Sequence, residues 1–169
     1  MKKIKLCRLV NVDQSIIFKW RNKKKNKRFF EKKKITQDEH CAWFNKKKKQ
    51  KTFSAWIIKY NKEKIGLIQI DSINDKTCNA GFYIVKEKYF FLTFFVINLL
   101  HYKIFIDLKL KKIKSFISTE NKKMRKLNKL CGYIEKKKTK KYFIHTELIR
   151  TQWLKSFGYK YFKVNHGNI

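Results

Sequence analysis

Cys78-Asn-Ala-Gly-Phe-Tyr-Ile-Val85, the basic break Lys86–Lys88, and the apolar run that opens Tyr89-Phe-Phe-Leu-Thr-Phe-Phe-Val-Ile-Asn-Leu-Leu100 decide how this chain is read. The first eight residues have the length and composition of a strand, and the apolar run, which extends to Ile106, has the length of a helix. Downstream, Lys112-Ile-Lys-Ser-Phe-Ile-Ser118 alternates polar and apolar residues and predicts a second strand. A helix is expected from about Glu120-Asn121 to Cys131, with Gly132 at the C′ position, where the backbone turns left-handed, and Tyr133 after it. The resulting order is strand, loop, helix, strand, helix, Gly-aromatic.

The apolar run raises the question of a membrane span. Spanning needs about 20 predominantly apolar residues. Asn98, His101, Lys103 and Asp107 interrupt that length, so the segment reads as a buried core helix with no transmembrane span. A helix apolar on all sides must be covered on more than one of them.

Upstream, Ile4–Val10 alternates weakly and fits an edge strand. Asp13–Trp20 reads as a helix with Asp13 as N-cap and Ile16, Ile17 and Trp20 on one face. Arg21-Asn22 and the lysine run to Arg28 form a polar loop. Thr36-Gln-Asp-Glu39 is a capping box, opening a helix that carries His40, Trp43 and Phe44 and ends in Lys46–Lys49. Thr52–Tyr60 and Lys64–Asp71 are strand-like, with a hairpin turn at Asn61–Glu63, and Ser72–Thr77 is a second turn. Glu135–Lys141 is a lysine-rich stretch leading to a last strand at Tyr142–Arg150, and the tail after Arg150 carries little signal. No repeat or linker divides the 169 residues, which are read as a single domain.

Composition narrows the class further. The chain is 43% hydrophobic and 16% aromatic, too apolar for a disordered protein. Lys and Arg number 44 against 12 Asp and Glu, a formal net charge of +32 that attracts any polyanion. The excess is almost all lysine, there is no proline, and Asn, Ile, Phe and Tyr abound, which is the signature of AT-rich coding drift more than of a selected nucleic-acid surface. Cys7, Cys41, Cys78 and Cys131 are scattered, with no Cys/His spacing for a metal, so free thiols, no metal and a cytoplasmic location are expected.

Taken in order, Trp20-Arg-Asn22, Thr36-x-x-Glu-His40, Gly66, Gly81-Phe-Tyr-Ile84, Asn121 and Gly132-Tyr133 resemble the GNAT N-acetyltransferases of the pseudaminic-acid pathway, from about Leu6 to Tyr133. The resemblance implies an α+β fold, a mixed and mostly antiparallel sheet flanked by helices. It implies acetyl-CoA as cosubstrate and a small amine acceptor, the amino group of a nucleotide-linked sugar. By the same resemblance the backbone of Phe82, Tyr83 and Ile84 pairs with the pantetheine arm, Asn121 lies beside that arm, and Arg21 and His40 face the nucleotide-sugar. His40 also has a plain reading as a helix-packing residue.

The chain departs from that pattern at three places. Lys86-Glu-Lys-Tyr-Phe-Phe-Leu-Thr93 stands where a glycine-rich pyrophosphate loop is usual, with Phe90 and Leu92 at glycine positions; Lys86 and Lys88 supply charge but not close backbone approach. Asn79 occupies the place of a carboxylate base, and Asn128 that of a tyrosine acid; an amide can do neither job. Tyr83 and Tyr133 are the phenols nearest in sequence. Three readings follow: an N-acetyltransferase working mainly by proximity, a GNAT-fold CoA-binding module with weakened or lost catalysis, and a basic nucleic-acid-binding protein without any recognised nucleic-acid motif.

Overall fold

The computed structural model describes residues 4–23, 34–140 and 142–166. Seven strands form one sheet: β1 (Ile4–Arg8), β2 (Ser54–Tyr60), β3 (Glu63–Asp71), β4 (Thr77–Ile84), β5 (Lys112–Ser118), β6 (Ile134–Lys140) and β7 (Phe143–Ile149). Their spatial order is β1-β2-β3-β4-β5-β7-β6. Only the central β4–β5 pair is parallel; the others are antiparallel. The helices are α1 (Gln14–Arg21), α2 (Gln37–Lys49), α3 (Thr93–Tyr102), α4 (Lys122–Leu130), α5 (Arg150–Lys155) and α6 (Phe157–His166). This is the α+β architecture expected, with β1 at an edge.

Helix α3 is led by a 3-10 segment, Glu87–Leu92, and followed by a wide turn, Lys103–Asp107. By length and composition alone the 21 residues Glu87–Asp107, of mean hydropathy 1.6, would serve to cross a membrane. Their packing shows a core helix instead. Val96, Leu100, Ile104 and Phe105 are buried against Ile68 and Ile70 of β3, Cys78 and Ile84 of β4, Ile113 of β5 and Leu148 of β7. Each such side chain contributes roughly 1.5–3 kcal/mol when taken fully from water.

Among the described residues, the opposite face is covered over only part of its width. There Ile17 and Trp20 of α1 and Phe44 of α2 pack on Ala55 and Ile57 of β2, Leu67 of β3 and Val85, with Tyr83 of β4 half-buried against them. No residue of β5, β6 or β7 belongs to that layer among the described residues. The alternation of β4 therefore sorts its side chains: Cys78, Ala80, Phe82 and Ile84 face α3, while Asn79, Gly81 and Tyr83 face the α1–α2 side.

Local chemistry accounts for most boundaries. The Thr36 hydroxyl accepts from the Glu39 amide at 3.2 Å while Glu39 accepts from the Thr36 amide at 2.9 Å, so the capping box forms. Helix α4 closes as expected, with Gly132 at φ +90°. The Gly132 amide donates to Lys129 and the Tyr133 amide to Asn128, both at 3.0 Å, the paired bonds of a Schellman turn.

One expectation changes, and two stretches without a structural reading turn out to be ordered. Asp13 does not cap α1: its carboxylate accepts from the Val10 amide at 3.1 Å and pairs with Lys64 at 2.7 Å, because a 3-10 turn (Asn11–Asp13) precedes the helix. Ile134–Lys140, within the lysine-rich stretch, is an edge strand with irregular register against β7. The tail is also structured. Trp153 of α5 is fully buried and donates to Asn98 of α3 at 3.3 Å, and α6 packs Phe162 against Phe95 and Tyr102. The run from Lys24 to Lys33 lies outside the described residues.

Gly66 is the tightest point of the central sheet. A Cβ there would lie 2.2 Å from the Tyr83 carbonyl oxygen, a backbone atom that cannot swing away. Gly66→Ala is expected to lower stability by about 1–3 kcal/mol through overpacking, read as a lower urea midpoint at unchanged m-value.

Candidate functional site

The site begins where β4 and β5 part. Their pairing runs Thr77↔Lys112, Cys78↔Ile113, Asn79↔Lys114 and stops. The Ser115 hydroxyl donates to the Ala80 carbonyl at 3.0 Å and closes the apex. From Gly81 to Ile84 the strand keeps its bonds to β3 but has no ladder partner toward β5. Buried backbone groups need partners, so this edge offers amides and carbonyls to an extended ligand. Phe82, Tyr83 and Ile84 stand here, the three positions expected to meet a pantetheine arm.

Around the opening, the expected side chains fall into different settings. Tyr83 meets Trp20 edge-on at 6.4 Å, and burial pushes its phenol well above the usual range, against the pull of the nearby Arg21 charge. Arg21 ends α1, and burial lowers its own value. Next to it Asn22 exchanges two bonds with Ile35, donating at 2.9 Å and accepting at 3.2 Å. That clamp joins the end of α1 to the start of α2 and holds the chain beside the opening.

His40 is 2% exposed. Its Nε2 lies 3.0 Å from the Gln14 carbonyl, and its ring stacks on Trp43 at 5.6 Å and lies 5.5 Å from Phe18. Burial chiefly lowers its pKa. The structure thus places His40 in the α1–α2 contact, the plain reading, rather than at a free surface.

Asn121 caps α4, its side-chain oxygen accepting from the Met124 amide at 3.2 Å. Asn128 lies seven residues on, on the same helix face, and is buried. Asn79 projects to the α1–α2 side, next to Lys114. Tyr133, by contrast, is turned inward: its hydroxyl lies 3.1 Å from His101 Nε2, and burial raises its pKa strongly. That contact ties the half-buried Tyr133 to the buried His101.

Lys86 and Lys88, expected to compensate for the missing glycines, converge on Glu63 instead. Lys86 is hydrogen-bonded to that carboxylate, Lys88 lies 3.5 Å from it, and the Tyr89 hydroxyl also donates to it. Phe90 remains 51% exposed in the 3-10 lead-in to α3, where a glycine would have left the backbone open.

Sequence reading missed two features. One is the bare face of β5 and β7, where Phe116 and His145 stack at 5.2 Å with Lys112, Lys114 and Glu147 around them. Its signal was the alternation of Tyr142–Arg150, but facing direction needs the sheet order. The other is an open groove of about 770 Å³ lined by Lys126, Lys129 and Leu130 of α4, Gln152 and Lys155 of α5, and Phe157 of α6. Phe157 stacks on Phe94 at 6.0 Å, so the groove adjoins the first turn of α3. No group of three or more potential metal ligands converges among the described residues.

A seven-stranded mixed sheet that splits at its central parallel pair, with helices on both sides, defines the class as an acyl-CoA N-acyltransferase fold. The acetyltransferase (GNAT) domain model matches residues 4–134, and the chain belongs to that family. Its fold is similar to spermidine N-acetyltransferase from Vibrio cholerae, solved with CoA and spermine (TM-score 0.80, 21% identity, covering 89% of this chain and 98% of that one). It is also similar to the Campylobacter jejuni N-acetyltransferase PseH in complex with acetyl coenzyme A (TM-score 0.67, 22% identity, 88% and 99%). An uncharacterized Bacillus halodurans protein superposes with a TM-score of 0.83 at 13% identity, covering 97% and 92%. No curated protein matched the chain by sequence.

Two predictions follow from these placements. Glu63→Gln removes the carboxylate that draws Lys86 and Lys88 aside, and acetyl-CoA should then bind more tightly, with a steeper salt dependence, in isothermal titration. The second concerns His101, fully buried, its Nδ1 without a hydrogen-bond partner and its pKa lowered by burial to about 3. The unfolded chain takes up this proton near the ordinary value of 6.5, the folded chain only near 3. Stability from this site is therefore complete above 6.5 and lost as pH falls toward 3, by up to ~1.4 kcal/mol per pH unit. His101→Gln should flatten that part of the urea-midpoint profile.

Proposed function

We propose that this protein is an acetyl-CoA-dependent N-acetyltransferase whose acceptor is an amine carrying negative charge, in the class of nucleotide-linked amino sugars. The observation that carries the reading is the opening between β4 and β5 set against a cationic face. The free edge of Gly81–Ile84 suits the amides of a pantetheine arm. Lys126, Lys129 and Lys155 of the adjoining groove supply cations for the nucleotide end that Lys86 and Lys88, held by Glu63, do not.

The acceptor side favours phosphate over polyamine. On the bare face Lys112, Lys114 and Lys136 outnumber Glu147, which itself lies 3.7 Å from Lys112 and 3.9 Å from Lys136. Arg21, with its planar fork, stands at the α1 side. A single pair of charges 4 Å apart in water is worth only about 1 kcal/mol. The balance is nonetheless cationic, and the whole chain carries +32. A diphosphate is therefore better matched here than a polycation.

The reading is tested by differential scanning fluorimetry and a coupled thiol-release assay in about 0.2 M salt, where the Debye length is below ~8 Å. Acetyl-CoA should raise the melting temperature by mass action. A UDP-linked 4-amino sugar should then be acetylated and spermidine should not. A melting temperature unmoved by millimolar acetyl-CoA would sink the donor assignment; acetyl-CoA binding without turnover of any amine would leave a binding module.

A further inference from the structure

Resting on the transferase reading, we propose that Phe116 and His145 form the wall of the acceptor subsite and that His145 takes the proton from the incoming amine. The sheet register points there. Asn79 of β4 pairs with Lys114 of β5, so a parallel ladder carried two residues further would set Gly81 opposite Phe116. Phe116 is in turn the Cα partner of His145 on β7. Gly81, Phe116 and His145 thus lie in one row across the sheet, at the level where β4 and β5 separate.

That row is open to solvent and to ligand. A Cβ added at Gly81 would meet nothing within 4 Å. Phe116 is 58% exposed, and its ring stacks on His145 with 30° between planes. On the far side the space over Gly81 is bounded by Tyr83, which packs on Trp20 beside Arg21. An aromatic cross-strand pair on a bare face is ordinarily a stabilising contact of roughly 0.2–1 kcal/mol. What sets this one apart is its level: it flanks the parting of the strands, where the α1–α2 layer stops and a side-chain gap lies over the strand.

The chemistry needs a lone pair that the expected position lacks, since Asn79 is an amide. Of the charged and titratable groups on this face, Lys112 and Lys114 from β5 and Lys136 from β6 are cations, as is Arg21 from α1. Glu147 from β7 is held between Lys112 and Lys136, and the Tyr83 phenol is buried. Asp71 of β3, level with Asn79 on the same face, is paired with Lys47 of α2, and among the described residues of this face His145 is the remaining base. An ammonium R–NH3+ gives one proton to an imidazole nitrogen of His145, and the freed nitrogen lone pair attacks the thioester carbonyl carbon. The C–N bond forms and the C–S bond breaks, its electron pair leaving on sulfur. The second nitrogen proton reaches the thiolate through water, and His145 returns its own to solvent, so the products are amide, thiol and one proton.

The experiment is steady-state acetylation by wild type, His145→Gln, Phe116→Leu and Gly81→Val, across pH, with acceptor amines of differing basicity. Wild-type kcat/KM should show a limb that stays at the same pH from one amine to the next, because it belongs to the enzyme. His145→Gln should lose that limb, follow each amine's own ionisation, and fall by ~10²-fold or more, with the melting shift from acetyl-CoA unchanged. Phe116→Leu should raise the amine KM more than it lowers kcat. Gly81→Val, whose Cβ would meet nothing within 4 Å, leaves His145 untouched, should fold normally and should raise the amine KM about tenfold. A His145→Gln enzyme with both wild-type rate and limb overturns the proton assignment alone; an unchanged amine KM in Gly81→Val and Phe116→Leu overturns the subsite. If wild type neither binds acetyl-CoA nor acetylates an amine, the transferase reading fails and carries this one with it.

Discussion

Everything particular to this molecule depends on β4 and β5 ceasing to pair after Asn79 and Lys114. A continuous ladder would satisfy every backbone group in the sheet and leave nothing to recognise a ligand. Because the ladder stops, the edge from Gly81 to Ile84 presents donors and acceptors that only water or a bound chain can satisfy. The Ser115–Ala80 bond marks the apex at 3.0 Å, so the opening has a defined inner end.

Keeping such a break open needs rigid walls, and the core supplies them. Helix α3 packs against both halves of the sheet, touching β3 and β4 on one side of the split and β5 and β7 on the other. The C-terminal segment reinforces that helix: Trp153 is held to Asn98, and a Cβ on Gly158 would come within 2.8 Å of the same Asn98. The sheet can therefore part without the halves drifting, since both are tied to one buried helix. Charge plays a different role: beyond its individual ion pairs, the cationic excess biases which ligands approach.

Several side chains near the opening are amides or are already engaged by neighbours. Asn128 and Asn79 are amides, Tyr133 is bonded to His101 in the core, and Lys86 and Lys88 are engaged by Glu63. What stands free at the opening is a row of backbone groups, a bare face rich in lysine, and the Phe116–His145 pair. In the transferase proposed above, such a site works chiefly by positioning, which can by itself lower a barrier by several kcal/mol.

The sequence by itself determined the elements whose causes are local. The capping box at Thr36, the left-handed Gly132, the alternation of β5 and the helical, apolar character of the run from Thr93 to Tyr102 all follow from residues within a few positions of one another. The order of those elements with their glycines was enough to reach the family. Tertiary structure decided what depends on partners distant in the chain: that Asp13 pairs with Lys64, 51 residues away, rather than capping its own helix; that a lysine-rich run becomes an edge strand because β7 has a free side; that His40 meets Gln14 in the α1–α2 contact. It also placed Gly81, Phe116 and His145 in one row. Their separations along the chain hold no period that a sequence can show, because the row exists only through the order in which the strands are laid side by side.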